Sequence, residues 1–412
     1  MTSSLNQVFR AFGLALAFVI LCSGPARVEP VDQAVGAVVA ADNRLGLELY
    51  RRLADKPGNI VVSPHSIATA MAMAFSGARG ETEKQMAAVL HVGLPVNDLA
   101  GAHLRLNEGL NRKTSEDGPQ VQVTNALHLT RYGDLIAPAF RQFIADRFGA
   151  ELFEGSDLAK INGWVKQRTN GRIEQILTKL DPNSVCVLLN AVYFKGAWEE
   201  PFDKQATRPD LFHLATGGDV EVPTMHKLGY FQVLRAHSYD AIRLRYRKSG
   251  LAMILIVSAR SNAVGDLEAG LDDQSVAAIL AGLAPAPSQK VDLSLPSFKI
   301  EFGADLIPPF EGLGMKLPFD RNRADFSGMT GSTEESRRLH ISQIQHRAVI
   351  DVNEAGTEAV ASTAVEFAKR AAPGQPAVFK VDRPFLYLVA DETSGAILFI
   401  GRVIDPRASA AK

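Results

Sequence analysis

Cysteine, net charge and long apolar runs are all scarce in this chain, and each shortage removes a class of protein. Only Cys22 and Cys186 occur among 412 residues. Cys22 lies in an N-terminal stretch that reads as a signal peptide, so the mature chain has no internal disulfide and depends on packing for its stability. The charges balance, 44 Lys and Arg against 45 Asp and Glu for a formal net charge of −1, which gives no electrostatic case for nucleic-acid binding. Local basic groups such as Arg105, Arg112 and Lys113 read as a solvated helix face. No apolar run reaches the roughly 20 residues of a bilayer-spanning helix. The run at 11–22, AFGLALAFVILC, preceded by Arg10 and followed by Ser23-Gly24-Pro25-Ala26, has the length of a signal core, with cleavage expected near residue 26. An exported chain, secreted or periplasmic and without stable membrane insertion, is implied, and the lack of any Asn-x-Ser/Thr acceptor fits a bacterial source. Neither a GxSxG elbow nor an HExxH pair occurs, so nothing marks a hydrolase, and no cofactor or metal site is expected.

What is present is a large apolar inventory, 46% of residues, with no Pro/Ser-rich linker, charge block or internal repeat to divide it; residues 35–408 read as a single domain. Asp42–Leu53 has helical periodicity, with Asp42 or Asn43 available as a cap. Ser63-Pro64 is a helix start leading into SIATAMAMAF and ending at Gly77, apolar on nearly every side and therefore central. Residues 158–178 read as an amphipathic helix. Val121–Leu129, Val185–Phe194, Leu339–Val352, Pro384–Ala390 and Ala396–Ile404 read as strands, the last two as a hairpin, and Cys186 as a buried thiol within the second. Helices early and strands late indicate the α+β class.

One segment does not fit an ordinary domain. Asp351–Ala372, DVNEAGTEAVASTAVEFAKRAA, joins two strand-like regions with no bulky side chain until Phe367, and connections of that length are functional loops or linkers. As an extended strand it would place Thr357, Ala359, Ala361 and Thr363, all small, on one face. Gly356 supplies a hinge before them. The segment reads as a strand held outside its sheet.

Glu354-Ala-Gly356-Thr357-Glu358-Ala359 resembles the hinge of the serpins, the serine-protease inhibitor family. The resemblance extends through Asn59-Ile-Val-Val-Ser63-Pro64-His-Ser66-Ile67, Asn190-Ala-Val-Tyr193-Phe194-Lys195-Gly196-Ala-Trp198-Glu-Glu-Pro201-Phe202, Val222-Pro223-Thr224-Met225, Leu313-Gly314-Met315, Ala324-Asp325-Phe326-Ser327-Gly328-Met329, Asp382-Arg383-Pro384-Phe385 and Leu398-Phe399-Ile400-Gly401-Arg402-Val403. It implies three β-sheets, eight to nine helices and a five-stranded central sheet that opens to accept a sixth strand. It also implies an exposed reactive-centre loop over about 354–380.

By the same resemblance Ser63, Ser66, Asn190 and His346 form a shutter beneath that sheet, where buried polar groups need partners and a network with two arrangements can part. Trp198 and Glu354 mark the top, where the loop enters. Many members carry a basic residue after the Leu-Pro pair to face the hinge carboxylate; Ser297 stands there here, with Lys299 two residues on. Family spacing from Glu354 puts the reactive bond at Arg370–Ala371, with Lys369 as the alternative, and either suits the acidic specificity pocket of a trypsin-like protease. The function implied is an exported, monomeric suicide inhibitor that forms a covalent complex with a trypsin-like serine protease and is not itself an enzyme. The alternative is a non-inhibitory serpin serving as carrier, chaperone or storage protein.

Overall fold

A computed structural model describes residues 30–112, 119–129, 133–155, 157–180, 186–259, 264–334, 338–357 and 375–407. Residues 1–26, expected to be a signal peptide, and Ala359, Ala361, Thr363, Lys369 and the bond Arg370–Ala371 lie outside the described residues. The helices are α1 (Pro30–Leu53), α2 (Pro64–Gly77), α3 (Gly80–Val89), α4 (Val96–Arg112), α5 (Pro138–Phe148), α6 (Leu158–Arg168), α7 (Val264–Ala269), α8 (Asp273–Leu283), α9 (Ile307–Gly312) and α10 (Ser327–Thr330). The strands are β1 (Ile60–Val62), β2 (Gln120–Leu129), β3 (Glu151–Glu154), β4 (Cys186–Ala197), β5 (Arg208–His213), β6 (Asp219–Arg235), β7 (Tyr239–Arg245), β8 (Leu251–Ser258), β9 (Ser288–Pro296), β10 (Phe298–Asp305), β11 (Ile341–Asn353), β12 (Gly356–Thr357), β13 (Ala377–Lys380), β14 (Phe385–Asp391) and β15 (Ile397–Val403). Among the described residues no helix is long and apolar enough to cross a membrane.

The α+β class is as expected, with ten α-helices among the described residues. Two of the three expected sheets form one hydrogen-bonded network, in the order β1-β15-β14-β8-β7-β6-β9-β13 with β5 on β6. The reason is the 17-residue strand β6. Its first part pairs β5, its middle β9 and its end β7, so one strand serves both sheets. The second network runs β10-β11-β12-β4-β2-β3.

α2 begins where the sequence predicts, with Pro64 in its first turn and Ser63 at the N-cap, although the Ser63 hydroxyl does not cap it. All fourteen of its residues are buried, because it passes beneath the six-stranded sheet and is touched by that sheet, α1, α4 and β15. Asp42 is not a cap: α1 starts at Pro30 and carries Asp42 mid-helix and buried. The helix expected over 158–178 stops at Arg168 because Asn170 and Gly171 take positive φ (51° and 77°), an Asn-Gly signal for a turn. Ile173, Ile176 and Leu177 nonetheless join Ile161 and Val165 against Val187, Leu189, Ala191 and Tyr193. α6 and the segment after it therefore cover the outer face of β4, while α2 lies under its inner face. Cys186 is a buried free thiol at the base of β4.

Candidate functional site

The connection between β11 and β13 starts in the six-stranded sheet and ends in the nine-stranded one, where β13 pairs in parallel with β9. At its start Gly356 and Thr357 already lie between β11 and β4. Thr357 faces Val352 on one side and Gly196 on the other; Gly356 faces Asn353 and Ala197. Below them the two neighbours close up and pair directly in parallel, from Ile341–Cys186 to Val349–Tyr193. The sheet is thus parted at its top by two residues and shut beneath.

The local chemistry explains why those two residues fit. Gly356 has φ +149°, and a Cβ there would stand 2.0 Å from the Gly196 carbonyl oxygen, so only glycine passes between the strands at this point. The Thr357 side chain is fully buried, with its hydroxyl 2.7 Å from the Tyr246 hydroxyl. Burial pushes the Tyr246 phenol well up, so it stays a neutral partner. Tyr246 stacks on Trp198 with ring centroids 4.6 Å apart at 15°. The Trp198 indole N–H donates to the Asn353 carbonyl (3.0 Å) and its backbone N–H to Ala355 (3.0 Å). Trp198 therefore holds the last turn before the hinge at both ends. Glu354 finds no basic residue at position 297. Its carboxylate instead accepts from the Thr207 hydroxyl at 2.7 Å, and its carbonyl from the Phe202 N–H at 2.8 Å. Ser297 is occupied with Pro223, and Lys299 sits opposite Asp351.

Lower down, a polar row crosses three adjacent strands. Asn125 on β2 faces Asn190 on β4, and Asn190 faces His346 on β11. All three side chains are buried. The Asn190 amide donates to Asn125 Oδ1 (2.5 Å), to Ser66 Oγ (2.5 Å) and to the Ser66 carbonyl (2.9 Å), while its own oxygen accepts from His346 Nδ1 (2.5 Å). The other ring nitrogen, His346 Nε2, is buried without a partner, and burial lowers the His346 pKa to about 3. The ring is neutral, with its proton on Nδ1. Of the four residues named from the sequence, Ser66, Asn190 and His346 come together; Ser63 stays at the end of α2. Asn125 was missed, and the sequence alone does not single it out from Gln122, Thr124 and His128 in the same strand.

No nucleophile is prepared in this cluster. The one imidazole lies against an amide, and its basicity is suppressed by burial, so the arrangement cannot activate a hydroxyl. What sets this level apart is that, besides the backbone ladder, β11 and β4 are joined by a side-chain hydrogen bond between polar groups, a contact that can be exchanged for another polar partner.

A family model described as Serpin (serine protease inhibitor) matches residues 40–406. The chain is 35% identical to an uncharacterized serpin-like protein of Thermococcus kodakarensis, over 90% of this chain and 86% of that one. It is 31% identical to plasminogen activator inhibitor 1 of Sus scrofa, over 98% and 100%. The solved structure of human thyroxine-binding globulin complexed with thyroxine superposes with a TM-score of 0.81 at 25% identity, covering 90% of this chain and 99% of that one.

Proposed function

The chain belongs to the serpin family, whose members are serine protease inhibitors rather than enzymes, and on that premise we propose that it is an exported, monomeric suicide inhibitor of a trypsin-like serine protease. The protease attacks the Arg370 carbonyl and forms an acyl-enzyme; Lys369 is the alternative. The freed strand then enters between β11 and β4 and carries the attached protease with it. Loop insertion in serpins is an established instance of strand addition and of stored-strain release. A protease dragged across the molecule loses its oxyanion geometry, and one such donor alone is worth about 10²–10³ in turnover.

The observation that carries this reading is the register at the hinge. Asn353 faces Ala197 across Gly356, and His346 faces Asn190 directly; the offset between β11 and β4 is the same whether or not a residue stands between them. Insertion therefore needs the strands to move apart, with no slide along their length. Continuing the ladder from Thr357 brings Ala359 beside Phe194 and Ile350, Ala361 beside Val192 and Ala348, and Thr363 between Asn190 and His346. All of these neighbours are buried. That face lies over α2, which explains why each incoming residue is small. About ten new ladder bonds at about 1 kcal/mol each release on the order of 10 kcal/mol.

The test is incubation with trypsin followed by a denaturing gel. The expected result is an SDS-stable adduct of summed mass, with a released C-terminal fragment beginning at Ala371. Simple nicking without an adduct would sink inhibition in favour of the carrier reading, the role that thyroxine-binding globulin has in its own name. A fragment beginning at Arg370 would move the reactive bond to Lys369.

A further inference from the structure

Away from the seam, three helices bring metal-ligating side chains to one point. Asp42 comes from the middle of α1, His65 from the first turn of α2 and His103 from α4; all are buried, and one ligand atom from each lies within 4.8 Å of the others. Asp42 Oδ2 is 2.9 Å from His65 Nδ1 and 4.0 Å from His103 Nδ1. The two imidazoles stack with centroids 5.9 Å apart at 22°. Ligand atoms around a tetrahedral zinc ion stand about 3.3 Å apart, so small side-chain adjustments bring the three into range.

The surrounding hydrogen bonds suit ligated rings. His65 Nε2 lies 2.9 Å from Asn107 Oδ1. With the proton on Nε2 donated to that oxygen, a neutral ring points its Nδ1 lone pair at the Asp42 carboxylate. Two lone pairs repel, and a cation between them turns the contact into two bonds. A ligating histidine held through its other nitrogen by an oxygen acceptor is the usual outer-shell arrangement. His103 Nδ1 lies 3.3 Å from the Thr69 hydroxyl oxygen, which donates its proton to the His65 carbonyl (2.8 Å); with its proton on Nε2 the His103 ring keeps its Nδ1 lone pair for a metal, and with the proton on Nδ1 it donates to Thr69. Beside Asp42 and His103 opens a cavity of about 180 Å³ with walls from Leu45, Ala68 and Leu99, which leaves space for a fourth ligand. With the Asn107 amide turned round, its NH₂ donates to Nε2 and the Nδ1–H to Asp42. That is one metal-free arrangement; the other is a doubly protonated ring that donates Nδ1–H to Asp42 and Nε2–H to Asn107 Oδ1.

We propose that Asp42, His65 and His103 bind one Zn²⁺ ion, with the fourth position open to the cavity. Two imidazole nitrogens and one carboxylate are a donor set for zinc rather than for magnesium or calcium. Nothing in the spacing of the three residues along the chain announces it. An ion there ties α1, α2 and α4 together one residue from Ser66, the floor of the seam.

The experiment is metal titration of the purified mature protein at neutral pH, by equilibrium dialysis with elemental analysis, and with Co²⁺ as a coloured stand-in. One Zn²⁺ per chain, intense visible bands of tetrahedral Co²⁺ that Zn²⁺ bleaches, and a thermal midpoint raised by roughly 3–5 °C at a hundredfold excess over the dissociation constant are expected. His103→Gln is expected to lose stoichiometric binding, while His91→Gln, at the cavity mouth, retains it. Absence of stoichiometric Zn²⁺ binding, or only the weak spectrum of octahedral Co²⁺, in the unaltered protein overturns the proposal without need of any variant. Full binding by a folded His103→Gln overturns it equally.

Discussion

The two sheets are joined by opposite chemistry at their centres. In the nine-stranded sheet every residue of β8, β14 and β15 is buried, and their ladders carry apolar side chains on both faces. Ser258 and Asp391 are polar ends of β8 and β14, and the one charged side chain within β15, Arg402, is locked by Glu268 (3.0 Å), by the carbonyls of Ala54 and Gly58, and through Glu268 by the Tyr50 hydroxyl (2.7 Å). Pulling those strands apart would expose apolar surface at about 25 cal/mol per Å² with nothing to replace the lost contacts. The six-stranded sheet has a parallel contact at its middle, β11 on β4, besides the parallel β2–β3 pair at its edge, and crosses that middle contact with the Asn125–Asn190–His346 row. Hydrogen bonds between neutral groups return only about 0.5–1.5 kcal/mol net when made and can be remade with an incoming strand. In the proposed mechanism one sheet stays closed and the other is reopened along a single line.

The largest break of that contrast is expected from Thr357→Arg. Thr357 is fully buried against Tyr246, and a guanidinium there brings a charge into the buried seam. The hinge is expelled, insertion becomes slower than hydrolysis, and trapping of trypsin on a denaturing gel falls from an adduct to complete nicking. A variant that still forms the adduct in full would show that insertion does not begin at the hinge.

A pair of truncations sharpens the difference. Leu388→Ala, in the fully buried β14, is expected to cost 2–5 kcal/mol through its cavity while leaving the adduct yield of the folded fraction unchanged. Asn190→Ala removes the hub of the row and leaves Asn125 Oδ1, the Ser66 hydroxyl and His346 Nδ1 short of partners. It costs less, about 1–3 kcal/mol for the orphaned groups, but it acts on the seam. Its folded protein is expected to lose inhibitory activity on standing at 37 °C, as the uncut loop inserts or links molecules. Equal decay of activity in the two variants would mean that the seam is not distinguished from the rest of the core.

Much of this was readable from residues. Pro64 after Ser63 gave the central helix its start, and the motif blocks supplied the family; the alternation of small residues beyond Thr357 falls outside the described residues. The rest required three dimensions. Asn125 belongs to the row only because β2 and β4 pair in a register that sets it opposite Asn190. The partner of Glu354 is a threonine some 150 positions away, which no inspection for a basic residue would find. Asp42 looked like a cap because it is polar at the head of a periodic run; its true setting is a buried one facing α2 and α4, and helical periodicity does not reveal what another helix brings to it. The Asn-Gly break at 170–171 was legible and was overridden by the apolar spacing of Ile173, Ile176 and Leu177, which pack on the sheet from an irregular segment as well as from a helix.

Acid offers the gentlest probe of the contrast. Native His346 stays neutral down to about pH 3, with burial the cause of the shift and no charged neighbour contributing. In the unfolded chain it takes up a proton near 6.5. Between those values the unfolded state binds the extra proton, so the stability held above pH 6.5 declines as pH falls. At pH 5 the loss from this one residue is about 2 kcal/mol. The geometry gives the same sign: a second ring proton would sit on Nε2, which has no acceptor. His346→Gln, which keeps a hydrogen-bonding group but cannot titrate, is expected to flatten the fall of the thermal midpoint between pH 7 and pH 5. Parallel slopes for the two proteins would move the acid sensitivity away from the seam. A flatter slope in the variant would place it on β11, because no titratable side chain is exchanged anywhere in the nine-stranded sheet.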